Sequence, residues 1–403
     1  MLLLVPSATY RARAFMEAAH SLGVEVTVAS DRRQAMSAAL GDRALTVPLH
    51  RPQQAAEAIV RLAERTPLDA VVAVDDGGVV AAAIASERLG LVHNAPAAAQ
   101  AARDKLLMRE ALERSSVSQP GYRTAGPEAD VAAVARAVGL PVVVKPVGLS
   151  GSRGVIRADD EAAAAAAAAR IRIILGEAGE DPARPLLVER YVPGPEVALE
   201  GILRDGGLRP LALFDKPDPL EGPYFEERIY VTPSRLSEQR QQEVVALVAG
   251  AARALGLREG AVHAELRLGD GGPWVLELAA RSIGGLCGRA LRFGAGVSLE
   301  ELVLRHALGR PLDGLAREPA ASGVMMIPVP RSGTLHEVRG QEVARATPGV
   351  VGLELTIAPG RPVVALPEGD RYLGFIFARG SEPEHVERAL REAHAALQID
   401  IAE

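Results

Sequence analysis

Lysine is almost absent from this chain. Of 45 basic residues only Lys105, Lys145 and Lys216 are lysines; the rest are arginine. In a chain that fills its charged positions with arginine, each lysine marks a place suited to a compact ammonium and not to a planar fork. Cysteine is scarcer still. The single Cys287 excludes an intrachain disulfide and suits a reducing, cytoplasmic setting. No uninterrupted apolar run is long enough to span a bilayer, so no membrane partner is expected. The opening MLLLVPSATYRAR has no basic flank before its short apolar run, and is expected to be a first strand and not a signal peptide. A large excess of one charge is missing too: a net charge of -6 gives no footprint for nucleic acid. What is present is a 403-residue chain, 48% hydrophobic, with enough length for two or three domains.

The first third alternates strands and helices. Strand-like runs at 2–6, 24–29 and 69–76 are separated by helical stretches at 9–21 and near 52–64, which predicts a small parallel sheet. The acidic VDDGG closing the third run sits where open α/β sheets place ligands, but an ordinary helix cap explains it better. A helix starting at Asn94 and Pro96 should carry Lys105, with Pro120 and Gly121 closing the unit. The alanine-rich stretch 159–177 has acidic residues at its start and reads as a helix. Residues 185–203 read as two strands around a Pro-Gly-Pro turn, and 237–255 as a helix. From about 320 the chain is strand-rich and ends in a helix.

The stretch VVVKPVGLSGSRGV, residues 142–155, is a buried strand running into a glycine- and serine-rich loop. That is the pattern of a phosphate cradle, yet the lysine precedes the loop, at Lys145, where the common G-x-x-x-x-G-K-[ST] loop has it at the end.

AVHAELRLGDGGPWVLELAARSIGG, residues 261–285, holds two runs of period two joined by GDGG, hence a hairpin. A three-residue loop, Asp270 to Gly272, sets Leu268 opposite Trp274, Leu266 opposite Leu276 and Ala264 opposite Leu278. The same register sets Glu265 directly opposite Glu277. Facing carboxylates destabilise a ladder unless a hard cation lies between them, as Mg²⁺ does; the plain alternative is two acids splayed apart in solvent. Without metal the pair should repel, raising at least one pKa. Arg281, four residues on, can reach a phosphate or carboxylate near that metal. Gly284 and Gly285 offer backbone N–H groups to an oxyanion.

An early helix lysine after RD, a strand lysine before a Ser/Gly loop, ERYVPGPE, and two glutamates on adjacent strands followed by arginine resemble, in order and spacing, the ATP-grasp superfamily. NAPAAAQAARDKLLMR and the C-terminal VVGLELTIAPGRPVVALPEGDRYLGFIFARG resemble its biotin-carboxylase-like branch. LFDKPDPLEGPYFEERIYVTPS is most like the L-amino-acid ligases, which join two amino acids. The resemblance implies an ATP-grasp fold of mixed α/β and α+β class. Its parts would be an N-terminal parallel α/β domain (1–93), a two-lobed nucleotide-binding core (94–310, with a lid near 120–190) and a strand-rich C-terminal domain (311–403). It implies ATP and Mg²⁺, or Mn²⁺ in its place, with small carboxylate and amine substrates, amino acids among them; it allows a homodimer.

Carried over by position, Lys105 and Lys145 neutralise phosphates, and Ser150, Gly151, Ser152 and Gly154 give loop donors, with Arg153 as added charge. Glu189, Arg190, Tyr191 and Val192 form an adenine hinge, and Glu196 holds the ribose. Glu265 and Glu277 bind the metal. Arg281 orients the substrate carboxylate and stabilises its acyl phosphate. Lys216, Glu226, Tyr230, His263, Gly284 and Gly285 are expected around the substrate. Ala279 stands where many relatives carry asparagine, which leaves a third protein ligand to the metal missing. The implied activity is a carboxylate–amine ligase releasing ADP and phosphate. A bicarbonate-using carboxylase and a non-catalytic nucleotide-binding subunit are the alternatives.

Overall fold

The computed structural model describes residues 1–33 and 43–402. Its first sheet is parallel, with the strands ordered Ala44–Thr46, Thr27–Ser30, Leu2–Leu4, Val71–Ala73. Leu2, Leu3 and Leu4 are fully buried because helices cover both faces: Ala12–Ser21 on one, Pro52–Ala63 and Val79–Leu89 on the other. The helix Val79–Leu89 stops at Gly90, whose left-handed φ of 68° closes its C-terminus.

The middle of the chain forms two antiparallel sheets. A small one orders Tyr122–Ala125, Leu186–Arg190, Val142–Pro146 and Ile156–Ala158. The helix Glu161–Glu177 packs on it, with Asp160 accepting a hydrogen bond from the Ala163 N–H as its cap. A large one of eight strands begins Gly272–Ala279, Gly260–Gly269, Glu196–Arg204, Gly207–Lys216, and ends in strands from the last third of the chain. So the two strands expected around Pro-Gly-Pro do exist, but in different sheets: the chain crosses between the sheets at 191–195. Only glycine fits the crossing. Gly194 has φ +119°, and a Cβ there would lie 2.2 Å from the Leu268 carbonyl oxygen.

Two sequence expectations are corrected here. The helix carrying Lys105 is two helices, Pro96–Arg103 and Lys105–Arg114. Asp104 breaks them apart with an extended backbone, and its carboxylate caps the second through the Leu106 and Leu107 N–H groups. Asn94 caps neither; its side chain accepts from the Arg258 and Glu259 N–H groups and donates to the Glu259 carbonyl, just before the hairpin.

The hairpin register is right at its functional end and wrong at its tip. Glu265 faces Glu277 and Ala264 faces Leu278, as expected. Beyond them a bulge shifts the pairing, so that Leu266 faces Val275, Leu268 faces Pro273, and Gly269 faces Gly272 around a two-residue Asp270-Gly271 turn. The cause is Arg109, whose buried guanidinium donates to both the Val275 and Leu276 carbonyls (3.2 and 2.7 Å). Adjacent carbonyls of a regular strand point opposite ways, so a bulge is needed to offer both to one fork.

Candidate active site

The two antiparallel sheets face each other across a cleft of about 130 Å³. Lys145, on the strand Val142–Pro146, forms one wall and is buried. Its Nζ lies 2.7 Å from Glu189 on the adjacent strand. The same carboxylate takes a two-pronged contact from Arg109, at 2.7 and 3.3 Å. One anion therefore serves two buried cations. Burial would raise the Glu189 carboxyl, but Arg109 and then Lys145 outweigh it and hold it at about 2. Lys145 moves the other way: burial pulls its pKa down, Glu189 opposes, and the nearby Arg109 and Lys105 add to the fall. The two directions agree once the charge is counted. Glu189 is fully compensated and Lys145 is not.

Lys105 heads its helix and ties down the loop. Its backbone N–H donates to Val147 O (2.9 Å), and its Nζ to Leu149 O (2.8 Å) and to Glu277, 3.2 Å away. Ser150, Gly151 and Ser152 line the cleft, while Gly154 donates to Pro367 O (2.9 Å) and Arg153 lies 3.9 Å from Asp370. A two-pronged Arg170–Glu368 pair, at 2.6 and 3.0 Å, joins the helix Glu161–Glu177 to the same C-terminal segment. Arg190, Tyr191 and Val192 line the crossing between the sheets.

The opposite wall is acidic. Glu196 accepts from Lys216 Nζ at 2.6 Å and from Arg267 Nε at 3.2 Å. Lys216 also pairs with Glu227 and lies 3.6 Å from Glu265. Oxygens of Glu196, Glu227 and Glu265 come within 4.8 Å of one another, with the Lys216 ammonium paired to all three. His263 lies between Glu200 (3.6 Å) and Glu265 (3.4 Å). Burial works against its charge, but these two carboxylates lift it to about 9. The expected raised carboxyl in the Glu265–Glu277 pair is not found at Glu265. Burial raises it, yet Lys216 and then His263 hold it low. Glu227 is raised instead, to about 7, because it is buried and faces Glu265, with Lys216 a partial offset; burial raises Glu226 as well.

A second cavity of about 300 Å³ adjoins the first. Ser150, Gly151, Glu227, Glu265 and Arg281 line both. Tyr230, His263, Gly284 and Gly285 line the second; Glu226 and Lys216 line neither. Lys216 closes the strand Gly207–Lys216. Arg281 pairs with Asp76 of the N-terminal domain at 2.9 Å. Burial opposes its charge, Asp76 and Asp75 favour it, and its pKa is raised; Asp76 in turn is held at about 2 against burial, chiefly by Arg281.

Four charged residues escaped the sequence. Asp75 does cap a short helical turn, through the Asp76 N–H, but Asp76 itself reaches Arg281. Arg267 shares the alternation of His263 and Glu265, a signal present but unused. Glu227 precedes its strand, so no period separates it from Glu226. Arg109 gave no signal at all, since its partners are 80 and 166 residues away.

The family models fit this geometry. Residues 138–290 match the ATP-grasp domain, 16–93 the ATP-grasp N-terminal domain, and 325–402 the L-amino acid ligase C-terminal domain 2. Alanine–anticapsin ligase of Bacillus subtilis is 29% identical over 249 residues, 58% of this chain and 52% of that protein. The chain spans about half to three-fifths of the length of the curated relatives it matches. The crystal structure of L-amino acid ligase from Bacillus licheniformis superposes with a TM-score of 0.82 at 26% identity, covering 100% of this chain and 99% of that one. Biotin carboxylase from Campylobacter jejuni shares the fold, with a TM-score of 0.69 at 17% identity over 99% and 92% of the two chains. The chain belongs to the ATP-grasp superfamily and carries the C-terminal domain of its L-amino acid ligases.

Proposed function

We propose that this chain is an ATP- and Mg²⁺-dependent carboxylate–amine ligase that joins two amino acids through an acyl phosphate. The observation that carries the reading is the charge deficit at Lys145: two buried cations share one carboxylate, and Lys105 stands beside them. A polyanion in the cleft restores that balance. The names of the relatives, an alanine–anticapsin ligase and an L-amino acid ligase, support the choice of substrates.

Glu265 and Glu277 suit a hard cation. They are cross-strand partners, both line the cleft, and carboxylate oxygens are what Mg²⁺ takes. The neighbouring Glu196–Glu227–Glu265 cluster suits it less, since the Lys216 ammonium already sits among its oxygens. When bound, the metal supplies electrostatic stabilisation of phosphate charge. The remaining work falls to the chain. Lys105 and Lys145 hold the phosphates. The loop 149–154, pinned to Pro367, excludes water from them. Arg281, fixed by Asp76, orients the first substrate's carboxylate where the two cavities meet. That carboxylate oxygen takes the γ-phosphoryl group and ADP leaves. The second substrate's amine then forms the C–N bond, phosphate leaves, and the amine's proton passes to solvent. The domain division at about 93 and 310 belongs to the same proposal, with the three parts meeting at Arg281, Asp76 and the loop.

A screen of amino-acid pairs for phosphate release, with mass spectrometry of the product, tests this reading. The expected result is release that requires two amino acids and yields their dipeptide. Release that requires bicarbonate in place of an amine would make the protein a carboxylase.

A further inference from the structure

A further cavity, of about 380 Å³, adjoins the second one at Tyr10, which lines both. The shared wall continues in the chain after Gly284. Gly285 and Cys287 line the second cavity, and Leu286 between them lines this one. The helix Ala12–Ser21 gives the opposite side, with Ala14 and Ala18. The volume falls within the roughly 300–1,000 Å³ of small-ligand pockets.

Seven charged residues line the cavity, and five of them already have ionic partners. Arg13 pairs with Glu17 (2.7 Å), Arg289 with Glu354, and Glu301 with Arg305 (2.8 Å). One anion and one cation are left over, Glu300 and Arg292. Glu300 is only 4% exposed, yet among the described residues it accepts no hydrogen bond and pairs with no cation. Its Oε1 lies over Gly288, where a Cβ would come within 2.9 Å of it, and both oxygens keep surface that water reaches. Arg292 is half-buried and pairs with no carboxylate among the described residues. Its Nη1 donates to the Arg289 and Leu291 carbonyls, at 3.3 and 2.7 Å. That leaves the Nε–Nη2 edge, the one that grips a carboxylate with two parallel bonds, unpartnered and open to water. Burial and then Arg379 pull the pKa of Arg292 down, and Glu300 is the carboxylate that most opposes them. The two charges are therefore neighbours that do not touch. A simple anion would match Arg292 and be repelled by Glu300, and a simple amine would meet the reverse. A zwitterion answers both.

We infer that this cavity is a binding site for a free α-amino acid, separate from the ligase site. The carboxylate lies on the Nε–Nη2 edge of Arg292, the ammonium on Glu300, and an apolar side chain along Ala14, Ala18 and Leu286. The inference does not need the ligase reading. Its occupant packs against Tyr10 and the 285–287 segment, so it is placed to act on the second cavity through their common wall.

The test is equilibrium dialysis of the full chain with radiolabelled L-leucine, in saturating non-hydrolysable ATP analogue and Mg²⁺. Arg292→Gln and Glu300→Gln should each bind one leucine fewer per chain than the wild type, with that site weakened at least tenfold. Arg292→Lys, which keeps the charge, should retain it. Urea denaturation separates this from a folding defect, because Glu300→Gln removes an unpaired buried charge and should not lower stability. If Arg292→Gln fails to fold, Glu300→Gln and Ala14→Met, which fills the apolar side, carry the test. N-Acetyl-L-leucine and L-leucinamide each lack one charge and should not compete for the site. Equal leucine counts in the wild type and in Glu300→Gln would overturn the inference. So would the absence of saturable leucine into the tens of millimolar, or competition by either capped form as strong as that of leucine. The readout is a difference of one bound leucine, so it stands whether or not leucine also enters the ligase's second cavity.

Discussion

Replacing Lys145 by alanine separates binding from stability in a way few buried ion pairs allow. Its partner Glu189 keeps both contacts from Arg109 when the lysine goes. Folding should therefore lose only the packing of the stem and a shared contact, about 1–2 kcal/mol. Glu189→Gln does the opposite. It leaves Arg109 and Lys145 buried without an anion, a loss of about 3–5 kcal/mol. Nucleotide binding should follow the reverse order. A unit charge about 4 Å from a phosphate contributes about 4 kcal/mol at an effective dielectric of about 20, so Lys145→Ala should weaken ATP roughly a thousandfold. Lys145→Arg should rescue little, because a second guanidinium would crowd Arg109 around one carboxylate. Urea denaturation and calorimetric titration with a non-hydrolysable ATP analogue read both quantities. Equal destabilisation by Lys145→Ala and Glu189→Gln, or wild-type affinity in the arginine variant, would refute the charge argument.

Three further outcomes follow from the same geometry. Glu265→Gln and Glu277→Gln should each raise the Mg²⁺ concentration needed for half-maximal rate and lower the rate itself; unchanged metal dependence in both would leave them as solvent-facing acids. Arg281→Ala should cut product formation far more than ATP binding, and Asp76→Asn should lower kcat in the same direction because it frees Arg281; an Asp76→Asn enzyme with wild-type kcat would show that the pair only joins domains. Glu189 has a folded pKa of about 2, below its ordinary 4.5, so its contribution to stability is present above about pH 4.5 and lost as pH falls through about 2. Acid denaturation of Glu189→Gln should accordingly be flatter between those values than that of the wild type, and parallel curves would contradict the assignment.

The sequence made the scaffold and half of the site legible. Period-two alternation placed Glu265 opposite Glu277, and the scarcity of lysine drew attention to three positions, each of which is buried and ion-paired. What alternation could not give was the bulge, because Arg109 imposes it from another element. The same limit hid Asp76, 205 residues from Arg281, in a motif that a local cap already explained. It also hid the partners of Lys216, which closes its strand among three carboxylates from other segments. Local pattern fixes which face a residue takes. Charge partners come from long-range packing, and no spacing records them.

The central claim is that ATP is spent at its γ-phosphate to activate a carboxylate. Lys105, Lys145, the Ser/Gly loop and the facing glutamates gather at one end of the cleft, beside Arg281 and the mouth of the second cavity. In the proposed function these groups act on charge at a transferring phosphoryl group. Nucleotide products should be measured beside dipeptide with an active amino-acid pair. The account predicts one ADP and one phosphate for each amide bond, and none of either in step with a single amino acid. AMP and pyrophosphate in step with the amide bond would contradict it.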